Sequence, residues 1–306
     1  MPTNPPFEII ADLLKHGDAI PFFGAAASAI YRPEGERWEP GKPFTPFGYE
    51  LAEKFATAAE YPVSEQQPPD LSLVASFTEH VRGTRPYIDR KLHEFFSVDC
   101  APGLLHTALG ALDATMLYVT TNYDDLIEKA LLNRRPHVVV DRGGEGNLLV
   151  RVAGEAEPRW PVKPDGPELH RLLHDLDKDR PSSPIVFKLH GSVDKSGKGK
   201  DAYLITEEDY VDFLGRQRDA YILPPYLAGL IERKAFLFLG YSLVDWNVRV
   251  ILRKILQQQP DRRIWAIVDG HSQAEQELWQ ARNLKIYPMD LRIFAEKLAA
   301  ELAKNS

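Results

Sequence analysis

Three apolar runs of strand length along the chain each end abruptly in small or polar residues. The runs are Ala19–Phe23, Met116–Val119 and Ala235–Leu239. They break into Gly24–Ser28, Thr120–Asp125 and Gly240–Ser242. A short apolar run bounded by turn residues is typical of a buried strand. Because the carboxyl ends of parallel strands meet at one edge of a sheet, these three breaks predict one ligand crevice there.

The rest of the hydrophobic pattern alternates between strands and amphipathic helices. Further strands are predicted at Ile185–Leu189, Tyr203–Ile205, Ile264–Val268 and Lys285–Tyr287, and helices at 49–55, 71–96, 246–256 and 291–302. Thr206 and Asp209 have the spacing of a capping box, which indicates the start of another helix. This alternation predicts an α/β fold class: a Rossmann-like, doubly wound, mostly parallel sheet with helical insertions.

Length and composition favour a single domain over residues 1–306. The 306 residues are 44% hydrophobic, which is enough for one large core. A helical insertion is predicted at about 48–112 and a peripheral polar insertion at about 142–184, where Glu168–Leu176 is the clear amphipathic segment. The stretch Tyr31–Phe47, rich in proline and glycine, is predicted to form a long loop over the crevice.

Charge and cysteine content exclude several classes of function. The formal net charge of −7 gives no general attraction to phosphate backbones, so direct nucleic-acid binding is not expected. The single cysteine, Cys100, excludes an internal disulfide and a cysteine-rich zinc site. Met1–Pro6 lack the features of a secretion signal, and no stretch approaches the roughly 20 apolar residues of a membrane span. We expect a cytoplasmic protein with no membrane partner.

The residues at the strand ends are the candidates for chemistry. The small residues Gly24–Ser28 let a phosphate approach backbone N–H groups, although they also suit close packing of a strand against a helix. Thr121, Asn122 and Asp124 offer polar groups to a ligand, although such residues also form turns and helix caps. We expect Asp125 to cap the helix through Leu126, which leaves Asn122 and Asp124 to face the crevice.

Two more strand ends carry titratable groups. His190 follows an apolar strand and is the acid/base candidate, because imidazole titrates near neutral pH. Asp269 ends another strand, where a carboxylate can accept hydrogen bonds from ribose hydroxyls, with a simple Asp-Gly turn as the competing interpretation. The remaining histidines before residue 180 lie in helical or loop contexts and receive no role: His16, His80, His93, His106, His137, His170 and His174.

The order of these motifs resembles the sirtuin superfamily over nearly the whole chain. The motifs are Gly-Ala-x-x-Ser, Thr-Asn-x-Asp, His-Gly and Gly-x-Ser. More closely, four segments resemble the sirtuin-like NAD-hydrolase domains of bacterial anti-phage effectors: Thr120–Leu126, Lys188–Asp194, Thr206–Phe213 and Phe238–Asn247.

The resemblance implies a role for each candidate residue. Gly24, Ala25 and Ser28 would cradle the dinucleotide phosphates, with Arg32 as a further phosphate ligand from the loop. Asn122, Asp124 and His190 would surround the nicotinamide ribose, next to Thr121. The pyrophosphate and adenosine side would be lined by Gly240 and Ser242, and Asp269 would hold the adenosine ribose.

The sequence departs from the family pattern in two places. The family usually reads Gly-Ala-Gly after the first strand, and here the second glycine is Ala26. An added methyl weakens phosphate binding if that position needs a positive φ or near-contact with the ligand. The second departure is the lack of the four-cysteine zinc module that many protein deacetylases of this family carry. No metal is therefore expected, and a deacetylase is disfavoured.

The resemblance implies an NAD glycohydrolase that cleaves the nicotinamide–ribose bond, with Asn122, His190 and Asp124 as catalytic residues. NAD is the expected substrate, and an NAD-depleting role in anti-phage defence follows. One alternative is an NAD-dependent protein deacylase or ADP-ribosyl transferase, and another is a non-catalytic module that binds NAD or ADP-ribose. Activation is expected from homo-oligomer assembly, for example through Leu71–Phe96, or from a separate sensor protein of the Argonaute-like or ATPase type.

Overall fold

A computed structural model describes most of the chain. The described residues are 4–62, 69–82, 84–114, 116–132, 137–142, 147–152, 160–164, 166–179, 183–193, 202–215, 224–232, 234–241, 263–270 and 273–304. Ser242 and the helix predicted at 246–256 lie outside these ranges.

The centre of the fold is a mostly parallel sheet, as the sequence predicts. The strands are β1 Ala19–Phe23, β2 Leu117–Thr120, β3 Val138–Arg142, β4 Leu148–Val152, β5 Trp160–Val162, β6 Ile185–Lys188, β7 Gly191–Ser192, β8 Ala202–Tyr203, β9 Ala235–Leu239, β10 Ile264–Val268 and β11 Leu284–Pro288. In the described residues, nine of them form one sheet in the order β11-β10-β9-β1-β2-β6-β3-β4-β5. Strands β4 and β5 pair antiparallel at one edge, and β7 pairs with β8 separately.

Helices cover both faces of this sheet. They are α1 Phe7–Lys15, α2 Ala25–Ala29, α3 Gly48–Ala59, α4 Leu71–Arg82, α5 Arg85–Phe95, α6 Leu104–Gly110, α7 Leu126–Leu132, α8 Pro167–Asp179, α9 Glu207–Gly215, α10 Pro225–Leu230, α11 Gln273–Gln280 and α12 Leu291–Ala303. The predicted capping box opens α9, since Asp209 N donates to Thr206 Oγ1 at 3.1 Å and Thr206 N donates to Asp209 Oδ2 at 3.0 Å.

Alternate residues of β1 show why the central strands are apolar throughout. Ile20 and Phe22 belong to the hydrophobic core on one face of the sheet, and Ala19 and Phe23 belong to the core on the other. A strand that is buried on both faces has no solvent side for polar residues. The helices α3, α4 and α5 enclose a third cluster around Trp38, which is the helical insertion between β1 and β2.

The sequence did not predict β3, β4 and β5. Two of them fall within the stretch 142–184, whose many glycines and charges hide them. In β4, buried residues alternate with half-buried ones, and Arg151 is one of the half-buried positions. Only pairing with β3 makes such a short, mixed segment a strand, and pairing partners cannot be inferred from local periodicity.

The direction in which the chain adds strands to the sheet reverses at β1, and the ligand crevice lies at this point. The chain runs from β1 to β2 on one side, whereas β9 pairs with β1 on the other. Ligands of open α/β sheets bind outside the carboxyl ends of the strands at such a switch point. The residues that follow β1, β2, β6, β9 and β10 therefore meet at one edge, as the sequence predicts.

Two glycines let the turns after β1 and β9 touch. Gly24 N donates to Leu239 O at 2.9 Å, and Ala26 N donates to Gly240 O at 3.2 Å. A Cβ on Gly24 would lie 2.5 Å from Gly240 O. A Cβ on Gly240 would lie 2.2 Å from Ala27 N, and Gly240 also has a φ of +72°. Neither position has room for a side chain.

Gly240→Ala should lower the free energy of unfolding by at least about 2 kcal/mol, because it adds a backbone clash to the cost of a left-handed φ. Gly270→Ala isolates the conformational cost, since Gly270 has a φ of +67° and no described atom within 4 Å of its added Cβ. We expect about 1 kcal/mol there. Urea unfolding of each variant is the measurement.

Gly229→Ala in α10 is the matched control for both substitutions. No described atom lies within 4 Å of a Cβ at Gly229, and the residue is helical. Alanine is favoured over glycine inside a helix by up to about 1 kcal/mol. A Gly240→Ala protein as stable as Gly270→Ala would contradict the close contact between the two turns.

Candidate functional site

A crevice of about 1100 Å³ opens at the carboxyl edge of the sheet. Cofactor pockets usually measure roughly 300–1,000 Å³, so this one is large enough for a dinucleotide. Nine of the residues predicted from sequence line it: Gly24, Ala25, Arg32, Thr121, Asn122, Asp124, His190, Gly240 and Asp269. Ser28 does not line it, and Ser242 lies outside the described residues.

Asn122 is held in place by its amide nitrogen. Nδ2 donates to Gly24 O at 3.0 Å and to Ser28 Oγ at 3.0 Å, and the backbone N donates to Thr120 Oγ1 at 3.0 Å. An amide nitrogen has two hydrogens, so both are used. The acceptor Oδ1 is the side-chain atom left for a ligand or a water molecule.

Ser28 lies behind Asn122, on the buried side of the site. Its side chain is 6% exposed, and its hydroxyl contacts Asn122 Nδ2 and His106 Nε2. The resemblance implied that Ser28 cradles a phosphate. In this structure the hydroxyl instead supports the amide of Asn122.

Asp124 shares with Asp125 the role at the start of α7 that the sequence analysis expected of Asp125 alone. Leu126 N donates to Asp124 Oδ1 at 3.1 Å, and the Asp125 carboxylate instead contacts Lys129 Nζ at 3.0 Å. An Asp side chain readily accepts from the backbone N–H two residues on, and that local turn fixes Asp124 here. Asp124 still lines the crevice, with one carboxylate oxygen fixed by the turn.

Lys188 also holds the turn after β2, although the sequence motifs did not indicate a role for its side chain. It is fully buried, its ammonium donates to Asp124 O, and it lies 3.2 Å from Glu128 Oε1. Burial raises the pKa of the Glu128 carboxyl, against the opposing effects of Lys188 and Arg151. The buried ammonium therefore ties the turn after β2 to β6, two residues before His190.

His190 lies where β6 ends. The side chain is 6% exposed, and its Nδ1 lies 3.5 Å from the Tyr210 hydroxyl. The rings of Tyr210 and Phe213 approach it edge-on. Gly191 follows with a φ of +76°, a conformation that glycine adopts without steric cost. Helix α9 thus closes one side of the imidazole, while the crevice lies on another.

Arg32 forms a buried ion pair with Glu50. Its Nη1 lies 2.7 Å from Glu50 Oε1, and its guanidinium lies 4.0 Å from the Phe47 ring centroid. The carboxylate also accepts from Trp38 N at 3.0 Å and from Phe47 N at 2.9 Å. Burial opposes ionisation of Glu50, but these hydrogen bonds outweigh it and lower its pKa. The pair closes the loop over the crevice, and the sequence did not indicate Glu50.

Thr121, Asp269 and Ala26, where the family has glycine, also line the crevice. Ala26 lies inside α2, so its backbone has right-handed torsion angles that suit alanine, and a positive φ is not required. Thr121 Oγ1 donates to the Tyr241 hydroxyl at 3.3 Å. Asp269 is exposed at the rim, next to Gly270 in its turn conformation.

The sheet and its crevice define a protein of the Rossmann-like α/β class. The model of the family described as SIR2-like domain matches residues 116–287, which is more than half of the chain. The chain belongs to this family. The family, the fold class and NAD-hydrolase relatives therefore agree with the resemblance read from the motifs.

Curated relatives are distant and longer. The chain is 28% identical over 200 residues to NAD(+) hydrolase ThsA of Enterococcus faecium, covering 65% of this chain and 34% of that protein. It is 26% identical over 233 residues to ThsA of Bacillus cereus, covering 73% and 41%. Defense-associated sirtuin 2 of Bacillus subtilis is 24% identical over 182 residues, covering 60% and 14%. The chain thus spans less than half the length of each relative.

Among solved structures, a Sir2 mutant described with a p53 peptide and NAD aligns with 97% of this chain and 98% of its own, at 12% identity and a TM-score of 0.36. That score is too low to support an argument about function. Within the described part of the chain, no helix is long and apolar enough to cross a membrane. The same residues include no group of three or more His, Cys, Asp or Glu placed to hold a metal ion.

Glu50→Gln should lower the free energy of unfolding at pH 7 by about 3 kcal/mol, because Arg32 stays buried without its counter-ion. The pKa of Glu50 is lowered in the folded protein. Its contribution is therefore present above the unfolded pKa of about 4.3 and is lost as the pH falls through the folded value. Urea unfolding over a falling pH series measures both effects.

Glu53→Gln is the control, since Glu53 lies on the same helix as Glu50 and forms an exposed ion pair with Arg37 of the preceding loop. An exposed pair contributes under about 1 kcal/mol. Equal losses of unfolding free energy in the two variants would contradict the conclusion that the buried Arg32–Glu50 pair stabilises the fold.

Proposed function

We propose that this protein hydrolyses NAD at the nicotinamide–ribose bond and releases nicotinamide and ADP-ribose. The observation that carries the proposal is the presence of Asn122, Asp124 and His190 in one dinucleotide-sized crevice of a SIR2-like chain. Relatives named as NAD(+) hydrolases support the reaction type.

Cleavage of this bond develops positive charge on the ribose, as in glycoside hydrolysis. A fixed carboxylate stabilises such charge, and Asp124 supplies one at the crevice wall. The ribose is then attacked by water. The acceptor Oδ1 of Asn122 orients that water, because the amide nitrogen is already held by Gly24 and Ser28. His190 accepts the proton from the water or from a ribose hydroxyl.

The phosphates of NAD are assigned to the turn after β1 and to Arg32. Arg32 Nη2 has no hydrogen-bond partner among the described residues and is buried, so a donor remains when Nη1 is paired with Glu50. Gly24, Ala25 and Gly240 present backbone without side chains at the same wall. Asp269, at the end of β10, takes the adenosine ribose.

The biological role we propose is NAD depletion in anti-phage defence, by analogy with the relatives named as defence-associated sirtuin and ThsA. An enzyme that destroys NAD in its own cell must be held inactive until needed. Assembly of several copies, or a separate sensor protein of the Argonaute-like or ATPase type, would supply that control. A cytoplasmic location follows from the substrate.

His190→Ala and Asn122→Ala should each abolish NAD turnover, because they remove the proton acceptor and the group that orients water. Release of nicotinamide and ADP-ribose is followed by chromatography, and circular dichroism checks the fold. His16→Ala is the control, since His16 is exposed at the end of α1. Full turnover in both variants would contradict the catalytic roles proposed for His190 and Asn122. Acyl-ADP-ribose or modified protein as the product would favour the deacylase or transferase alternative instead.

Ala26→Gly should leave the rate of NAD turnover essentially unchanged and lower the free energy of unfolding by up to about 1 kcal/mol, because glycine is a poorer helix former. The expectation follows from the helical backbone at Ala26. Nicotinamide release and urea unfolding of the two proteins are compared. Turnover that appears only in Ala26→Gly would mark the natural site as disabled and favour the non-catalytic binding module.

A further inference from the structure

A buried histidine lies behind the catalytic residues, and the reaction described above does not use it. His106 in α6 is 2% exposed and does not line the crevice. Its ring stacks on Phe23 at 5.4 Å between centroids. Its Nε2 lies 3.5 Å from Ser28 Oγ, whose hydroxyl is also 3.0 Å from Asn122 Nδ2. The three side chains therefore form a row from the core to the crevice wall.

The direction of the hydrogen bonds along this row follows from counting donors and acceptors. Asn122 Nδ2 carries only donors, so Ser28 Oγ accepts from it. The hydroxyl hydrogen of Ser28 then needs an acceptor, and His106 Nε2 is the acceptor within reach. If the His106 proton sat on Nε2 instead, the Ser28 hydrogen and the Nδ1 lone pair would both stay unpaired. The tautomer with hydrogen on Nδ1 leaves only that N–H without a partner among the described residues.

His106 must be neutral for Nε2 to accept. Burial lowers the pKa of His106 to about 4, with Asp124 opposing and Lys188 acting in the same direction. At neutral pH the ring is therefore uncharged. Because Nε2 accepts from Ser28 and Ser28 accepts from Asn122, the amide group of Asn122 has one favoured orientation, with Oδ1 directed away from Ser28.

We propose that His106 is a positioning residue: it keeps the Ser28 hydroxyl an acceptor, so that Ser28 Oγ and Gly24 O together orient the amide of Asn122. This rests on the proposed hydrolysis only for its kinetic consequence. If the Asn122 amide turned over, its nitrogen would replace Oδ1 as the group offered to the attacking water, and a donor cannot accept a hydrogen from water. The row and Gly24 O thus act together to present Oδ1, and not the nitrogen, to the substrate.

The tautomer can be tested without any turnover. In protein labelled with ¹⁵N at histidine, long-range ¹H–¹⁵N spectra distinguish a protonated from an unprotonated ring nitrogen, and the His106→Gln spectrum assigns the His106 signals. We expect a neutral ring with hydrogen on Nδ1 at pH 7. A proton on Nε2, or a charged ring, would overturn the proposal.

Three substitutions at His106 separate positioning from packing. The amide of glutamine reaches the place of Nε2, whereas the amide of asparagine reaches only the place of Nδ1. His106→Gln should keep most of the wild-type kcat for NAD. His106→Asn and His106→Phe should lower kcat about 100-fold at nearly constant KM, because a misplaced reacting group is costly. Equal activity in all three variants would overturn the proposal, and thermal unfolding identifies any variant that fails to fold.

A double-mutant cycle tests whether His106 acts through Ser28. Ser28→Ala alone should lower kcat as His106→Phe does, and the double variant should be no worse than either, because residues acting in one chain are not additive. Fully multiplicative losses would contradict the row. If the wild-type protein does not cleave NAD, the proposed function fails, while the tautomer measurement still decides whether the row exists.

Discussion

Two backbones meet without side chains between them where β1 and β9 end, and the site depends on that contact. The amide of Ala26 donates to Gly240 O. Gly24 and Gly240 would each clash with the opposite turn if they carried a Cβ. The contact lies at the end of β1, where the direction in which the chain adds strands reverses. Residues that follow β2 and β6 line the same crevice, because these strands continue the parallel sheet from β1. Both glycines therefore have a packing role beside any role in phosphate binding.

Below this contact, buried polar groups are matched to one another rather than to solvent. Lys188 holds the backbone of Asp124 and pairs with Glu128. Asn122 is held by Gly24 and Ser28. A buried polar group without partners costs stability, so such networks have few alternative arrangements. The side chains of Asn122 and Asp124 are consequently placed by the core and not by the loops that surround them.

The sheet and most of the crevice could be predicted from sequence because both rest on local patterns. Apolar runs that end in small or polar residues correctly gave β1, β2, β6, β9 and β10, and nine predicted residues do line the crevice. What failed depends on contacts with other elements, which the local pattern of a segment does not reveal. The strand β4 exists through pairing with β3, and His106 gained a role only because α6 packs against the end of β1.

The Asp124 turn shows a different kind of error. Asp124 and Asp125 are adjacent and chemically identical, so composition could not decide which one would meet Leu126 N. The backbone path decided it, and Asp124 does two things at once, closing the turn and lining the crevice. Glu50 was missed for a related reason. A lone Glu in an amphipathic helix normally faces solvent, and its burial follows from Arg32, eighteen positions earlier in the chain.

The loop above the crevice is bound to α12, which is far from it in the chain but lines the same crevice. Arg292, in the first turn of α12, donates to the backbone carbonyls of Ile30 and Arg32. The ring of Phe294, also in α12, contacts the ring of Phe7 in α1 in a tilted arrangement. Direct contacts thus connect α1, α12 and the rim of the crevice. A molecule bound to α1 and α12 on the outer surface would therefore restrain the rim of the crevice without contacting Asn122, Asp124 or His190.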